Sequence, residues 1–252
     1  MGYITKRKVR IDSVTRRVHL NDNAVYNRHT YKVPNVYMSN SWSSDKCVII
    51  CGGESVGNID LVKLTGCKIV TVNRGFETCP HADIVYCMDM PLYDGIHNGT
   101  LTKHVGYDIR AKWLAFEGKK VFIAPKNGFE LRNGDIVYLV RRLKHKHVST
   151  SIGLGIYPGG NSAFGAMMLA IALGCRTIYF IGLELRADTQ THYHNGYPGQ
   201  QLQRFREKLV KYQIEFEEFA DKIKQAGVTV YNTSKTSVLS CFEYRDVKEV
   251  LG

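Results

Sequence analysis

No apolar run in this chain is long enough to cross a bilayer as a helix, so a membrane-spanning protein is not expected. Residues 1–10 are basic and lack the apolar stretch of a signal peptide, and the sequence therefore predicts a cytoplasmic protein with no membrane partner. No C-x-x-C pair occurs, which argues against a structural zinc site. The seven cysteines do not read as a disulfide framework either: Cys47, Cys51, Cys67, Cys87 and Cys175 fall in predicted strands or core segments and fit reduced, buried thiols. There is no internal repeat and no low-complexity tract. Acidic residues are in short supply, with 23 Asp and Glu against 34 Lys and Arg and a formal net charge of +11. That excess points to a polyanionic partner, nucleic acid or an anionic substrate. It is concentrated in the N-terminal arm (Lys6, Arg7, Lys8, Arg10, Arg16, Arg17, Arg28, Lys32) and in the run Arg141 to His147. A solvated face that keeps the protein soluble is the other reading of such runs.

What is present is enough for one α/β domain: 252 residues, 44% of them hydrophobic. Residues 1–44 are polar and only weakly alternating, which predicts a basic arm or small hairpin outside the main sheet. From Lys46 onward strands and helices alternate, so residues 45–252 read as a Rossmann-like domain with a largely parallel sheet and helices on both faces. Strands are expected at 47–51, 68–72, 84–88, 120–124, 177–181 and 228–231, and helices at 57–65, 161–173 and 200–226. In the last helix Leu202, Phe205, Leu209, Tyr212, Phe216, Phe219 and Ile223 recur at helical spacing and read as core. Residues 91–113, with four glycine or asparagine breaks, predict an irregular lid near the mouth of a crevice.

Two glycine-marked junctions give that crevice its chemistry. Gly52, Gly53 and Ser55 follow a buried strand and could present amides and a hydroxyl to a phosphate, or form a tight turn with Ser55 as cap. Asn161 and Ser162 open a helix whose dipole favours an anionic group, and either also serves as an N-cap. Asn73 ends a strand, where its amide suits a base edge or a sugar hydroxyl, or a turn. Asp89 and Glu184, each just past a strand, suit sugar hydroxyls, proton transfer or loop amides. The segment Thr191 to Tyr197 holds His192, Tyr193, His194 and Tyr197 within seven positions, a density that suits acid–base work better than a plain surface loop. A His-x-His pair with Asp89 or Glu184 is also a metal-ligand pattern.

The ordered series Val48 to Ser55, Ile59-Asp60-Leu61, Ile69 to Asn73, Ala82 to Val85 and Asp89 resembles the nucleotide-binding half of the bacterial sialyltransferases. The related domain of flagellin glycosyltransferases, archaeal hydroxymethylpterin diphosphokinases and many tailed-phage proteins has the same order. Asn161-Ser162, the helix to Gly174, Ile178 to Gly182, the His-Tyr loop and Val228 to Leu239 resemble the second half of that family. The resemblance spans about residues 46 to 242, and departs at Gly52-Gly53-Glu54-Ser55, where the family has Gly-x-Gly-Pro-Ser. It implies inverting transfer of a sugar from a CMP- or UDP-linked donor to a hydroxyl, with no cofactor and no essential metal. The site would be Gly52, Gly53, Ser55, Asn73, Asp89, Asn161 and Ser162 around the nucleotide, with His192 or His194 as base and Tyr197 and Glu184 beside it. No Asp-x-Asp motif is present. With the positive charge, the implied acceptor includes a hydroxymethylated base in phage DNA, in the cytoplasm of the host, and a homo-oligomer is left open. Two alternatives stay open: diphosphate transfer from ATP with Mg²⁺ on Asp89 and Glu184, as in the pterin kinase relatives, and, from Glu54 standing where the family has proline, a non-catalytic nucleotide- or nucleic-acid-binding protein.

Overall fold

The structure, a computed structural model, describes residues 45–124 and 137–251, Trp42, and the backbone of residues 10–11, 17–20 and 24–27. The last three stretches are short strands, β1 (Arg10–Ile11), β2 (Arg17–Leu20) and β3 (Ala24–Asn27), which pair antiparallel in a sheet of their own. The other basic residues of the arm lie outside the described residues.

The apolar runs after residue 45 pair into an eight-stranded sheet in which every pairing is parallel. In chain order the strands are β4 (Lys46–Ile50), β5 (Lys68–Val72), β6 (Ile84–Cys87), β7 (Lys119–Ile123), β8 (Tyr138–Val140), β9 (Thr177–Ile181), β10 (Thr229–Asn232) and β11 (Glu243–Tyr244). In space the order is β11-β10-β9-β4-β5-β6-β7-β8. Central strands read as unbroken apolar runs because both of their faces are covered; Val48, Ile49 and Ile50 are fully buried.

Register fixes what covers each face. Ile49 pairs with Phe180 and Val72 with Tyr86, so these side chains point the same way. On that side Tyr86 meets Gly165 of α4 (Ser162–Ala172), and Phe180 meets Phe216 of α5 (Leu202–Gln225). On the opposite side Phe122 of β7 packs against Tyr93 of α1 (Met90–His97) and Trp113 of α3 (Ile109–Ala115). The expected two-faced α/β architecture is what is found. Helix α4 is apolar all round because it lies between sheet and α5, with Phe164 packed edge-on to Phe216 and Phe219.

The structure corrects three expectations. Residues 57–65 are not an α-helix but two 3-10 turns, Glu54–Asn58 and Leu61–Lys63. Gly57, Asn58 and Asp60 are poor helix formers, and short turns suffice to bury Val56, Leu61 and Leu64. Residues 91–113 are not irregular: they form α1, α2 (Thr100–Val105) and most of α3. Gly99 and Gly106, both left-handed, only separate the helices, while Leu92, Tyr93, Ile96, Leu101, Ile109 and Trp113 are buried. Finally, β8 and β11 extend the sheet at both edges beyond the strands expected. All seven cysteines are free, five of them buried, with Cys67 and Cys241 half-buried.

Candidate functional site

The chain lays β4 to β8 outward in one direction, then returns to place β9 on the other side of β4. At such a reversal the connections leave the sheet on opposite faces and open a crevice at the carboxyl ends of the two strands. A cavity of about 660 Å³ lies there, walled by the turns after β4, β5, β6 and β9, the first turn of α4, the 191–200 loop, α1 and the N-terminal half of α5. Only two non-glycine described residues have positive φ, Asn73 (53°) and Leu185 (50°), and both line this cavity. For leucine that conformation costs about 1–2 kcal/mol, and such strain collects where a site demands a particular backbone.

The glycine loop lines the cavity at Gly52 and Gly53 and is locked to the turn after β9. The Gly53 amide donates to the Gly182 carbonyl at 2.9 Å, and a Cβ on Gly53 would fall 1.3 Å from Glu184 Oε2 and 2.6 Å from that carbonyl. Glycine is needed because the Glu184 carboxylate occupies the side-chain space of residue 53. Ser55 donates its hydroxyl to Glu184 Oε1 and lies 3.1 Å from Ser234 Oγ, which takes it out of the cavity wall. Glu184 is thus a buried cavity residue gripped from one side, with Oε2 left without a hydrogen-bond partner among the described residues. Glu54 is exposed and also off the wall.

The start of α4 forms another part of the cavity wall. Asn161 caps the helix, its Oδ1 accepting from the Phe164 amide at 2.8 Å. Its Nδ2 is a buried donor with no partner among the described residues. Ser162 donates to Asn73 Oδ1 at 3.1 Å, which joins the ends of β5 and α4 across the cavity floor. Asp89 stands at the cavity wall between β6 and α1; burial raises its carboxyl above the ordinary range while Lys208 on α5 pulls the other way.

The two histidines part company. His192 lines the cavity against Gly52, whose Cβ, if present, would lie 2.6 Å from the ring's Cδ2. His194 does not line it. Its Nδ1 accepts from the Gly196 amide at 3.0 Å and sits 3.3 Å from the Arg74 guanidinium. Burial, then the Arg74 charge, pushes His192 down to about 4 and His194 to about 2, so both are neutral at pH 7. The rings stack at 4.8 Å and 11°, and among the described residues no three His, Cys, Asp or Glu side chains gather as a metal-ligand set.

Tyr197 lines the cavity edge-on to His192 at 5.2 Å. Burial holds its phenol well above its ordinary pKa, so its proton stays on.

Sequence reasoning passed over Arg74. It is 2% exposed and binds Glu77, Tyr107, Asn195 Oδ1 (2.9 Å) and the Gly196 carbonyl (2.7 Å). Burial opposes its charge, but the Glu77 hydrogen bond and charge outweigh that and raise its pKa. The His-Tyr loop is therefore clamped to the turn after β5. The only hint in the sequence is an arginine beside a strand-ending asparagine. Thr191, Gln200, Phe205, Lys208 and Tyr212 also line the cavity without having been singled out as site residues; Phe205 and Tyr212 are half-buried cavity walls rather than core.

No protein-family model matches the chain, and no curated protein does. Similar solved structures include a monofunctional alpha-2,3-sialyltransferase, Cst-I from Campylobacter jejuni, at 13% identity and a TM-score of 0.44 over 81% of this chain and 80% of that one. The sialyltransferase CST-II in complex with a trisaccharide acceptor and CMP is 16% identical, with a TM-score of 0.42 over 79% of this chain and 84% of that one. CstII from Campylobacter jejuni in complex with the substrate analogue CMP-3FNeuAc is 14% identical, with a TM-score of 0.35 over 82% of this chain and 88% of that one.

Proposed function

We propose that the protein is a glycosyltransferase that moves a sugar from a nucleotide-activated donor to a hydroxyl acceptor, without an essential metal. The observation that carries this reading is a neutral imidazole, His192, beside a protonated phenol, Tyr197, in a cavity at the sheet's reversal point, with an unpartnered amide donor, Asn161 Nδ2, at the start of a helix. The donor's phosphate binds at the amides of α4, where the helix dipole favours negative charge. As the acceptor oxygen attacks the sugar carbon, its proton passes to His192 and the sugar–phosphate bond breaks. The leaving phosphate oxygen accepts a hydrogen bond from Tyr197, and fixed donors aimed at such developing charge are a large source of rate. The partnerless Glu184 Oε2 accepts from a sugar hydroxyl. A CMP- or UDP-linked sugar is the donor class that the sequence resemblance points to. An anionic acceptor such as hydroxymethylated DNA would lie against the exposed Arg141, Lys144, His145 and His147.

A thermal-shift panel of CMP, UDP, GDP, ADP and ATP, with and without Mg²⁺, tests the reading. A ligand that binds only the native state raises the melting temperature, by about 2.7 kcal/mol of stability at a hundred times its Kd. CMP or UDP should stabilise the protein with no metal added. Stabilisation by ATP alone, and only with Mg²⁺, would replace this reading with diphosphate transfer.

A further inference from the structure

An imidazole acts as a base only through the nitrogen that lacks a proton, so the function proposed for His192 depends on which tautomer the protein enforces. The contacts of Thr191 decide it. Thr191 Oγ1 is 3.1 Å from Gln200 Oε1, and His192 Nδ1 is 3.0 Å from the same Thr191 Oγ1. Gln200 presents its carbonyl oxygen, which can only accept, so the threonine hydroxyl donates its single proton to Gln200. The oxygen of Thr191 then has only lone pairs left for His192, and Nδ1 must carry the imidazole proton. Nε2 is left with its lone pair, has no hydrogen bond within the described residues, and lies on the ring edge next to Gly52 in the cavity wall.

Three rings pack around the imidazole and hold its orientation. His194 stacks on one face at 4.8 Å, Phe205 lies 5.1 Å away, and Tyr197 abuts it edge-on at 5.2 Å. The far side of Thr191 is closed by Gly196, where a Cβ would lie 3.1 Å from the hydroxyl oxygen. Gly196 is itself held by Arg74 through its carbonyl.

We infer that Thr191 and Gln200 are positioning residues, a neutral two-member relay that holds His192 as the Nδ1–H tautomer with Nε2 free to take the acceptor's proton. A carboxylate in this place would stabilise the imidazolium as well as orient the ring; the threonine–glutamine pair only orients. His192 is therefore a base that must hand its proton on, and the drive for transfer comes from the leaving phosphate. This inference rests on the proposed transferase reading for its catalytic meaning, but the tautomer itself does not.

The test is nitrogen NMR of the full chain labelled with ¹⁵N-histidine at pH 7, with the His192 signals assigned by their loss in His192→Gln. The native protein should show His192 protonated at Nδ1 and bare at Nε2, the minority form of free histidine. Thr191→Val should convert it to the Nε2–H form or a mixture, Thr191→Ser should restore the native pattern, and Gln200→Leu should act as Thr191→Val does, which guards against one variant failing to fold. Turnover of a CMP- or UDP-sugar, if that is the substrate, should fall in kcat by about ten-fold or more in Thr191→Val, within the roughly 10²–10⁴-fold that a positioned base supplies, with nucleotide KM unchanged and Thr191→Ser active. An Nε2–H tautomer in the native protein, or a tautomer indifferent to both Thr191→Val and Gln200→Leu, would overturn the relay whatever the activity. The predicted tautomer behaviour with no pyrimidine nucleotide bound would keep the relay and sink the transferase reading.

Discussion

The His192 imidazole stays neutral in mild acid, because charging it means placing a cation in a buried site next to Arg74. Two consequences follow at the level of the single side chain. Activity that needs the neutral imidazole should persist as pH falls through the ordinary histidine range near 6.5, with the acid limb of kcat approaching about 4. Stability should move the other way: between the unfolded value near 6.5 and the folded values of about 4 and 2, the unfolded chain binds protons that the native protein does not, so stability drops as pH falls through that window. His192→Ala should cut turnover by about 10²–10⁴-fold with nucleotide affinity kept, and His194→Ala should cost much less, since that ring packs and accepts from the loop backbone. Steady-state kinetics and pH-dependent urea melts of the two variants check this; equal losses in both would mean that the loop's shape, not the imidazole at 192, carries the rate. Sequence spacing offered the two histidines as equals because residues two apart in a loop have no fixed facing. What separates them is the partner of each ring: Gly52 and the cavity for one, Arg74 for the other.

At the scale of elements, the 3-10 turn after β5 and the 191–197 loop act as one unit through Arg74. Its side chain and that of Glu77 are 2% and 9% exposed, and breaking a buried pair from one side typically costs about 3–5 kcal/mol. Arg74→Met should lower the melting temperature, release the Tyr193 and Gly196 amides to faster hydrogen exchange, and let the His194 pKa rise, since Arg74 is one cause of its depression. Unchanged protection of those two amides would show that the loop stands without the clamp. The strands of the sheet core were legible in the sequence because a strand covered on both faces is apolar throughout. The three helices between 90 and 115 were not, since each is eight residues or fewer and too short for periodicity to outweigh glycines at its ends. The Gly52-Gly53 turn was legible as a place where only glycine fits, but not why: the group that fills it comes from Glu184, in a turn far along the chain, and no local pattern records that pairing.

At the scale of the molecule, the positive charge is the feature least absorbed by the cavity. No described helix is long and apolar enough to cross a membrane, and Arg141 and Lys144 are exposed without an ion pair among the described residues. If they meet a DNA backbone, the Arg141→Ala, Lys144→Ala double variant should bind duplex DNA more weakly and with a shallower salt dependence, by about 0.9 in the log–log slope for each phosphate no longer neutralised; fluorescence anisotropy over a salt series measures it, and an unaltered slope would return these residues to simple solvation. The seam between β4 and β9 carries a different kind of consequence, one about descent. Any side chain at residue 53 meets both the Glu184 carboxylate and the Gly182 carbonyl, one a side chain and one the backbone itself. Shortening residue 184 removes the first obstacle in a single mutational step, but not the second. A lineage can therefore exchange the carboxylate, and with it the sugar hydroxyl it would recognise, more readily than the glycine: the backbone of the turn after β9 holds residue 53 in place, and residue 184 is where new specificity can begin.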